Sequence, residues 1–151
     1  MFVPLQSLKL ATRATWLGRT PVWRRHAPTS HEELRQVGLR MQIALPEALT
    51  QLLVELGFGD INEELSFRKE WLTKVQTGPL IGQLIFAQDD RGNFYTADPR
   101  SGAIHFLSRS TFGYCRLASD FSHFLEQAAD REFRIVEWAE TEPLVQYAGE
   151  A

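Results

Sequence analysis

The chain of 151 residues contains a single cysteine, Cys115, and only four histidines. One thiol excludes both an internal disulfide framework and a zinc site built from several thiolates. The histidines stand singly at positions 26, 31, 105 and 123, without the spacing typical of a metal-binding helix. We therefore expect no metal and no other cofactor, and we expect a reducing compartment, the cytoplasm.

Several motifs of common function classes are also missing. No apolar run approaches the roughly 20 residues that cross a bilayer, so we expect no membrane association. The chain has no glycine-rich phosphate loop and no nucleophile elbow. We therefore do not expect an enzyme. One catalytic hypothesis stays open, in which Cys115 is a nucleophile assisted by His105 or His123, and it requires the thiol and an imidazole within hydrogen-bond reach.

Charge is distributed unevenly along the chain, although the net charge is only −3. Residues 1–30 hold five basic residues and no acidic one, whereas residues 126–151 hold seven acidic residues against two basic ones. Nucleic-acid binding is not expected, because the basic segment has only five basic residues and the rest of the chain carries a net negative charge. Residues 1–27 are predicted to be a basic N-terminal arm without a core helix or strand. Its Trp16 and Trp23 either pack back onto the domain or bind a partner, for which Trp and Arg are favoured anchors.

Two helices are predicted between about residues 30 and 57. Ser30 and Glu33 have the spacing of a capping box at the start of the first helix. Pro46 suits the first turn of the second helix, whose leucines recur at helical spacing. Gly57 or Gly59 is expected to end it.

A predominantly antiparallel sheet is predicted after these helices. Three apolar segments near residues 80–107 are separated by short turns rich in Asp, Gly and Pro, which is typical of a meander. A short edge strand is expected near 111–115, a helix at about 119–129, and a last strand near 133–138 before a frayed acidic tail. The predicted fold class is α+β: a twisted, mostly antiparallel sheet packed by the helices, in a single domain over residues 28–151.

The order of four segments resembles the SUKH superfamily, also called the SMI–KNR type. They are residues 45–53 (LPEALTQLL), 85–98 (IFAQDDRGNFYTAD), 101–106 (SGAIHF) and 117–125 (LASDFSHFL). The first is similar to the family's helix opened by Leu-Pro, and the second to its hairpin with a Gly-Asn turn. The last two resemble its closing strand and helix. The basic arm lies outside the family pattern.

The resemblance implies a non-catalytic domain that binds other proteins. Bacterial members are commonly immunity proteins that bind and neutralise toxins passed between competing cells, whereas other members, such as fungal cell-wall regulators, are scaffolds. An immunity protein would act by covering the active site of its cognate toxin, and an acidic face would suit the basic cleft of a nuclease.

Acidic residues near turns are therefore candidate partner-binding residues, together with the two tryptophans: Asp60, Glu63, Glu64, Asp89, Asp90, Trp16 and Trp23. The alternative, that these acidic residues simply occupy solvated turns, stays open. Oligomeric state is open too, because an exposed edge strand can pair two copies but nothing in the sequence requires it.

Overall fold

The computed structural model describes residues 3–147, and within that range the chain forms five α-helices and eleven β-strands. The helices are α1 (Val3–Leu10), α2 (His31–Met41), α3 (Glu47–Leu56), α4 (Phe121–Asp130) and α5 (Ile135–Thr141). The strands are β1 (Thr12–Thr15), β2 (Gly18–Pro21), β3 (Trp23–Ala27), β4 (Phe58–Ile61), β5 (Leu65–Phe67), β6 (Thr73–Lys74), β7 (Leu84–Asp89), β8 (Phe94–Ala97), β9 (Ile104–Ser108), β10 (Gly113–Ala118) and β11 (Val145–Gln146). The predicted α+β class is confirmed.

Nine of these strands form one antiparallel sheet, and eight of the nine follow the order β11-β10-β9-β8-β7-β5-β4-β3. Strand β6 pairs with the first residues of β7, and β5 pairs with the last residues of β7 on the same side. The predicted meander is confirmed, since β7, β8 and β9 are consecutive neighbours. The strand expected near residues 111–115 is β10, which begins at Gly113 and pairs with β9. It is not the expected short edge strand, because it has six residues and β11 pairs with its other side.

The helices cover one face of the sheet, and the main core lies between the two layers. Phe86 of β7 is at its centre, with ring centroids 5.4 Å from Phe121 and 5.8 Å from Phe124 of α4. Leu49 and Leu52 of α3 are fully buried in the same core. Burial of each such side chain contributes on the order of 2 kcal/mol, so these apolar residues determine the packing of the helices.

The predicted start of α2 and the predicted start and end of α3 are confirmed, although only the Ser30 half of the predicted capping box forms. The Ser30 hydroxyl oxygen accepts a hydrogen bond from the backbone N–H of Glu33 at 3.1 Å. The Glu33 carboxylate pairs with Lys69 at 3.2 Å. Helix α3 follows Pro46 and ends at Gly57, whose φ of 81° lies in a region that L-residues rarely adopt.

The expectation that residues 1–27 contribute no core helix or strand is wrong for the described part of that segment. Leu5 and Leu8 of α1 are buried in the main core, and α1 packs against α4. Pro4 stands in the first turn of this helix, where its missing N–H has no helical partner to lose. Strand β3 pairs with β4 and forms one edge of the large sheet.

The strand expected near residues 133–138 is also wrong, because Ile135–Thr141 is helix α5. Its buried residues Ile135, Trp138 and Ala139 recur at spacings of three and four. Trp138 stacks on Phe124 of α4 with ring centroids 5.8 Å apart. Packing of one helical face onto α4 therefore outweighs the strand preference of this short apolar run.

The sheet face opposite the helices carries a second, smaller apolar cluster. It is formed by Val75, Leu80, Ile85 and Leu107, with three half-buried aromatic residues around them. No helix among the described residues is long and apolar enough to cross a membrane. The last residues of the predicted acidic tail, 148–151, lie outside the described residues.

Candidate partner-binding site

Residues 12–21 form a β-hairpin that is separate from the large sheet. Strands β1 and β2 pair from Thr12↔Pro21 to Thr15↔Gly18, which leaves Trp16 and Leu17 as the two residues of the loop. Gly18 adopts a φ of 128°, which a residue with a side chain rarely adopts. The Thr15 hydroxyl donates a hydrogen bond to the Gly18 carbonyl oxygen at 3.1 Å. These features define the geometry of the loop.

The hairpin tip, Trp16 and Leu17, is the most exposed apolar pair of the described residues. Trp16 is 91% exposed and Leu17 is 78% exposed. A large aromatic residue and a leucine side by side in solvent are unusual, because removing apolar side chains from water is energetically favourable. The strands behind them are polar, with sequences TRAT and GRTP. The hairpin therefore presents an apolar tip on a hydrophilic stem.

The stem of the hairpin is fastened to the domain. The backbone N–H of Val22 donates to the Ala11 carbonyl oxygen at 3.0 Å, and Val22 itself is buried in the core. The N–H of Asn62 donates to the Val22 carbonyl oxygen at 2.9 Å. Arg13 of β1 forms an ion pair with Glu63. These hydrogen bonds and the ion pair fix the base of the hairpin to the domain. We therefore expect the hairpin to lose little conformational entropy when a partner binds its tip.

Trp23, the other tryptophan among the predicted partner-binding residues, lies apart from Trp16 in the core. It is only 8% exposed, and its indole N–H donates to the Leu56 carbonyl oxygen at 3.2 Å. Its ring lies 5.5 Å from that of Phe67, centroid to centroid. The structure therefore gives Trp23 a packing role and leaves Trp16 alone at the surface.

Two acidic turns lie side by side at one end of the sheet. The β4–β5 turn carries Glu63 and Glu64, and the β7–β8 turn carries Asp90. The backbone N–H of Asp90 donates to the Glu64 carbonyl oxygen at 2.8 Å. Burial, and then the neighbouring Asp90 carboxylate, raise the pKa of Glu64. The fold therefore brings together three of the acidic residues predicted to bind a partner, Glu63, Glu64 and Asp90.

Basic residues of the N-terminal segment neutralise part of this acidic group. Glu63 pairs with Arg13 and also with Arg24 at 3.4 Å. Asp60 is mostly buried and lies 2.8 Å from the Nε2 atom of His26. An acidic face that mimics phosphate, as a nuclease would require, is therefore weaker here than the sequence suggests.

Asp89 differs from the other four acidic residues, because it is buried and organises its own turn. Its carboxylate accepts hydrogen bonds from the backbone N–H groups of Arg91 at 2.9 Å and Asn93 at 3.0 Å. The Tyr95 hydroxyl donates a third, at 3.2 Å. Burial, followed by the Asp89 charge, raises the pKa of Tyr95. The oxygens of Asp89 are therefore already engaged within the fold.

The structure separates Cys115 from the histidines of the catalytic hypothesis. Cys115 is buried in the main core and pairs in register with Phe106, so it points to the helical side of the sheet. His105 precedes Phe106 and lies on the opposite face, where its Nδ1 atom is 3.1 Å from the Gln83 side-chain oxygen. His123 accepts a hydrogen bond from the backbone N–H of Ser119 at 3.1 Å. Burial, and then the charge of Glu142, raise the pKa of the Cys115 thiol to about 11.

A polar cleft of about 470 Å³ separates the hairpin stem from the loop between α4 and α5. Its wall contains Arg13, Arg19 and Arg134 together with Glu64, Glu132 and Glu137. Arg19 is turned back on its own hairpin, donating to the Thr12 carbonyl oxygen at 2.8 Å. Among residues 3–147, no group of three or more His, Cys, Asp or Glu side chains is arranged to hold a metal ion.

Leu17, the second residue of the exposed tip, is not among the predicted partner-binding residues. The indication was present in the segment TRATWLGRTP, where a glycine follows two apolar residues between two runs of Thr and Arg. Glycine after a short loop is typical of a hairpin turn.

Comparison of the chain with protein-family models, with curated proteins and with solved structures gives no match.

Proposed function

We propose that this chain is a non-catalytic protein-binding domain that neutralises a cognate toxin by covering the toxin's functional surface. The observation that carries the proposal is the hairpin tip, where Trp16 and Leu17 are held in solvent by a structured stem. Tryptophan dominates the energetics of many protein interfaces, and a preformed loop loses little entropy on binding. The resemblance of residues 45–125 to the SUKH superfamily supports the choice of a toxin as partner.

In the proposed complex, the hairpin tip enters an apolar pocket of the toxin, and the neighbouring acidic turns contact its basic rim. Glu64 and Asp90 are adjacent to each other, and Glu63 is paired with Arg13 of the stem, so the acidic turns adjoin the hairpin that carries the tip. The tip supplies affinity through buried area, whereas the charges affect the rate of encounter and the choice of partner. Asp89 and Trp23 are not part of this surface, since both are engaged within the fold.

The proposal is tested by purifying the chain with candidate toxin domains encoded beside its gene. We expect a stoichiometric complex with one of them, measured by isothermal titration calorimetry, and loss of toxicity when both proteins are expressed together. Replacing Trp16 and Leu17 by serine should weaken the complex by about a hundredfold. The matched control is Ile81→Ser, another highly exposed apolar residue, in the turn before β7.

A second pair of substitutions separates the two parts of the surface. Glu63→Lys combined with Glu64→Lys should slow association if the acidic turns contact the toxin. A complex that tolerates both the tip and the turn variants would refute the proposed surface. If no toxin binds and the chain instead captures several weak cellular partners, the alternative is favoured, a scaffold or regulatory interaction module.

A further inference from the structure

The sheet face opposite the helices contains a groove of about 620 Å³. Ile85, Phe94 and Leu107 form its floor, and the segment 73–78 forms one wall. Phe112 and Tyr147 form the other wall. We call this cavity the open-face groove. It lies on the meander strands β7–β9 in the middle of the large sheet, whereas the hairpin precedes β3, the strand at one edge of that sheet.

The aromatic wall includes a residue, Phe112, whose backbone conformation is strained. Phe112 has a φ of 53°, which bulky side chains rarely adopt. The backbone N–H of Tyr147 donates to the Phe112 carbonyl oxygen at 2.9 Å, and the two rings meet nearly at right angles with centroids 6.1 Å apart. Phe112 nevertheless stays 44% exposed. Strain of this kind persists only when the surrounding structure maintains it, and here it fixes an aromatic ring at the rim of a cavity.

The charged residues that line the open-face groove are both cationic. Arg109 places its guanidinium 4.7 Å from the centroid of the Phe94 ring, and Lys74 lies on the facing wall. Neither forms an ion pair with a carboxylate of residues 3–147. In a chain with a net charge of −3, this groove is therefore complementary to a ligand that is both apolar and anionic.

We propose that the open-face groove binds an extended peptide segment of a partner protein that carries apolar side chains and carboxylates. The apolar side chains pack on Ile85 and Leu107, and the carboxylates reach Arg109 and Lys74. A second copy of this chain is a poorer occupant, because facing grooves would bring four cationic side chains together. A nucleic acid also fits the groove less well than such a peptide. Its phosphates would find only two cationic side chains, and part of the floor is aliphatic and offers no ring on which a base could stack.

The first test is selection of random peptides, displayed on phage, against the immobilised full chain. We expect the selected peptides to combine aromatic or aliphatic residues with Asp or Glu. A synthetic copy of the best peptide is then titrated calorimetrically. Arg109→Glu and Lys74→Glu should each weaken its binding by about tenfold or more.

The controls separate the groove from the rest of the molecule. Arg40→Glu makes the same charge change at an exposed site in the last turn of α2, and it should leave peptide binding unchanged. The serine variants of Trp16 and Leu17 should also leave it unchanged, because this site is independent of the proposed toxin surface. Arg109→Gln serves as a milder variant if Arg109→Glu lowers the melting temperature.

Four outcomes would overturn the proposal. The first is selection of no peptide, and the second is selection of peptides without carboxylates. The third is tighter binding of a labelled single-stranded oligonucleotide in competition with the peptide. The fourth is a stable dimer in sedimentation that dissociates when Phe112 is changed to serine, which would assign the groove to a second copy.

Discussion

The side-chain amide of Asn62 donates a hydrogen bond to the carbonyl oxygen of Phe133 at 2.7 Å, joining two left-handed turns. Asn62 and Glu63 have φ values of 54° and 58°, and Glu132 and Phe133 have 56° and 59°. These are four of the six non-glycine residues with positive φ in the described chain. Backbone strain is therefore concentrated where the β4–β5 turn meets the loop between α4 and α5.

Asn62 is expected to contribute to stability in two separable ways. Asn62→Gly removes the hydrogen bond to Phe133 but retains easy access to the left-handed conformation, so we expect a loss of about 1 kcal/mol. Asn62→Ala removes the same bond and adds the steric cost of a Cβ atom, so it should lose about 1 kcal/mol more. Urea unfolding followed by circular dichroism measures both values. Equal losses for the two variants would show that the backbone conformation costs nothing here.

The two tryptophans of the N-terminal segment should differ sharply in their effect on folding. Trp23→Ala removes a buried ring that packs on Phe67, and we expect it to destabilise the fold by about 3–5 kcal/mol. Trp16→Ala removes a ring that lies in solvent and should change stability by no more than about 0.5 kcal/mol. The measurement is again the free energy of unfolding in urea.

Fluorescence gives an independent check of the same difference. Iodide should quench Trp16 strongly and Trp23 weakly, as seen by comparing the wild type with each single variant. A large stability loss in Trp16→Ala would mean that the tip packs on the domain, and it would remove the basis of the proposed binding surface.

The helices between residues 30 and 57 were predictable because their determinants are local. A cap at Ser30, a proline at position 46 and leucines at helical spacing all lie within a few residues of the structure they specify. The meander was predictable for the same reason, since each of its turns joins neighbouring strands.

The N-terminal segment was not predictable in this way, because its structure depends on distant partners. Trp23 pairs with Ile61, and Leu5 is buried only because α1 packs against α4. Nothing within residues 1–27 reveals these contacts. The burial of Asp89 is a similar case, since it depends on the register that places the Tyr95 hydroxyl next to its carboxylate. Proximity to a turn in the sequence therefore indicates correctly that Glu63 and Asp90 are exposed, but it does not reveal that Asp89 is buried.

The raised pKa of Glu64 should make the stability of the fold depend on pH. Burial and the Asp90 carboxylate raise the pKa of Glu64 above its usual value of 4.5 in the folded state. The folded protein therefore binds more protons than the unfolded chain in this range, and the contribution of Glu64 to stability falls as the pH rises from about 4.5 through the raised pKa. Glu64→Gln should remove this loss, so the variant should be more stable than the wild type at neutral pH.

The comparison is made by urea unfolding at several pH values between 4 and 7, with Glu132→Gln as the control on the same cleft. The difference between Glu64→Gln and the wild type should shrink as the pH is lowered. A difference that is constant over this range would show that the substitution acts through packing and not through the charge.

Cys115 provides the test of the remaining catalytic hypothesis. Burial and the charge of Glu142 raise the pKa of its thiol to about 11, so the reactive thiolate is scarce at neutral pH. We expect the native chain to react with a disulfide reagent such as DTNB at least about a hundredfold more slowly than the chain unfolded in urea at the same pH. Cys115→Ser gives the background rate. A native thiol that reacts as fast as the unfolded one would show that Cys115 is accessible and that its pKa is not raised. A native thiol that reacts faster would show a stabilised thiolate and would restore Cys115 as a candidate nucleophile.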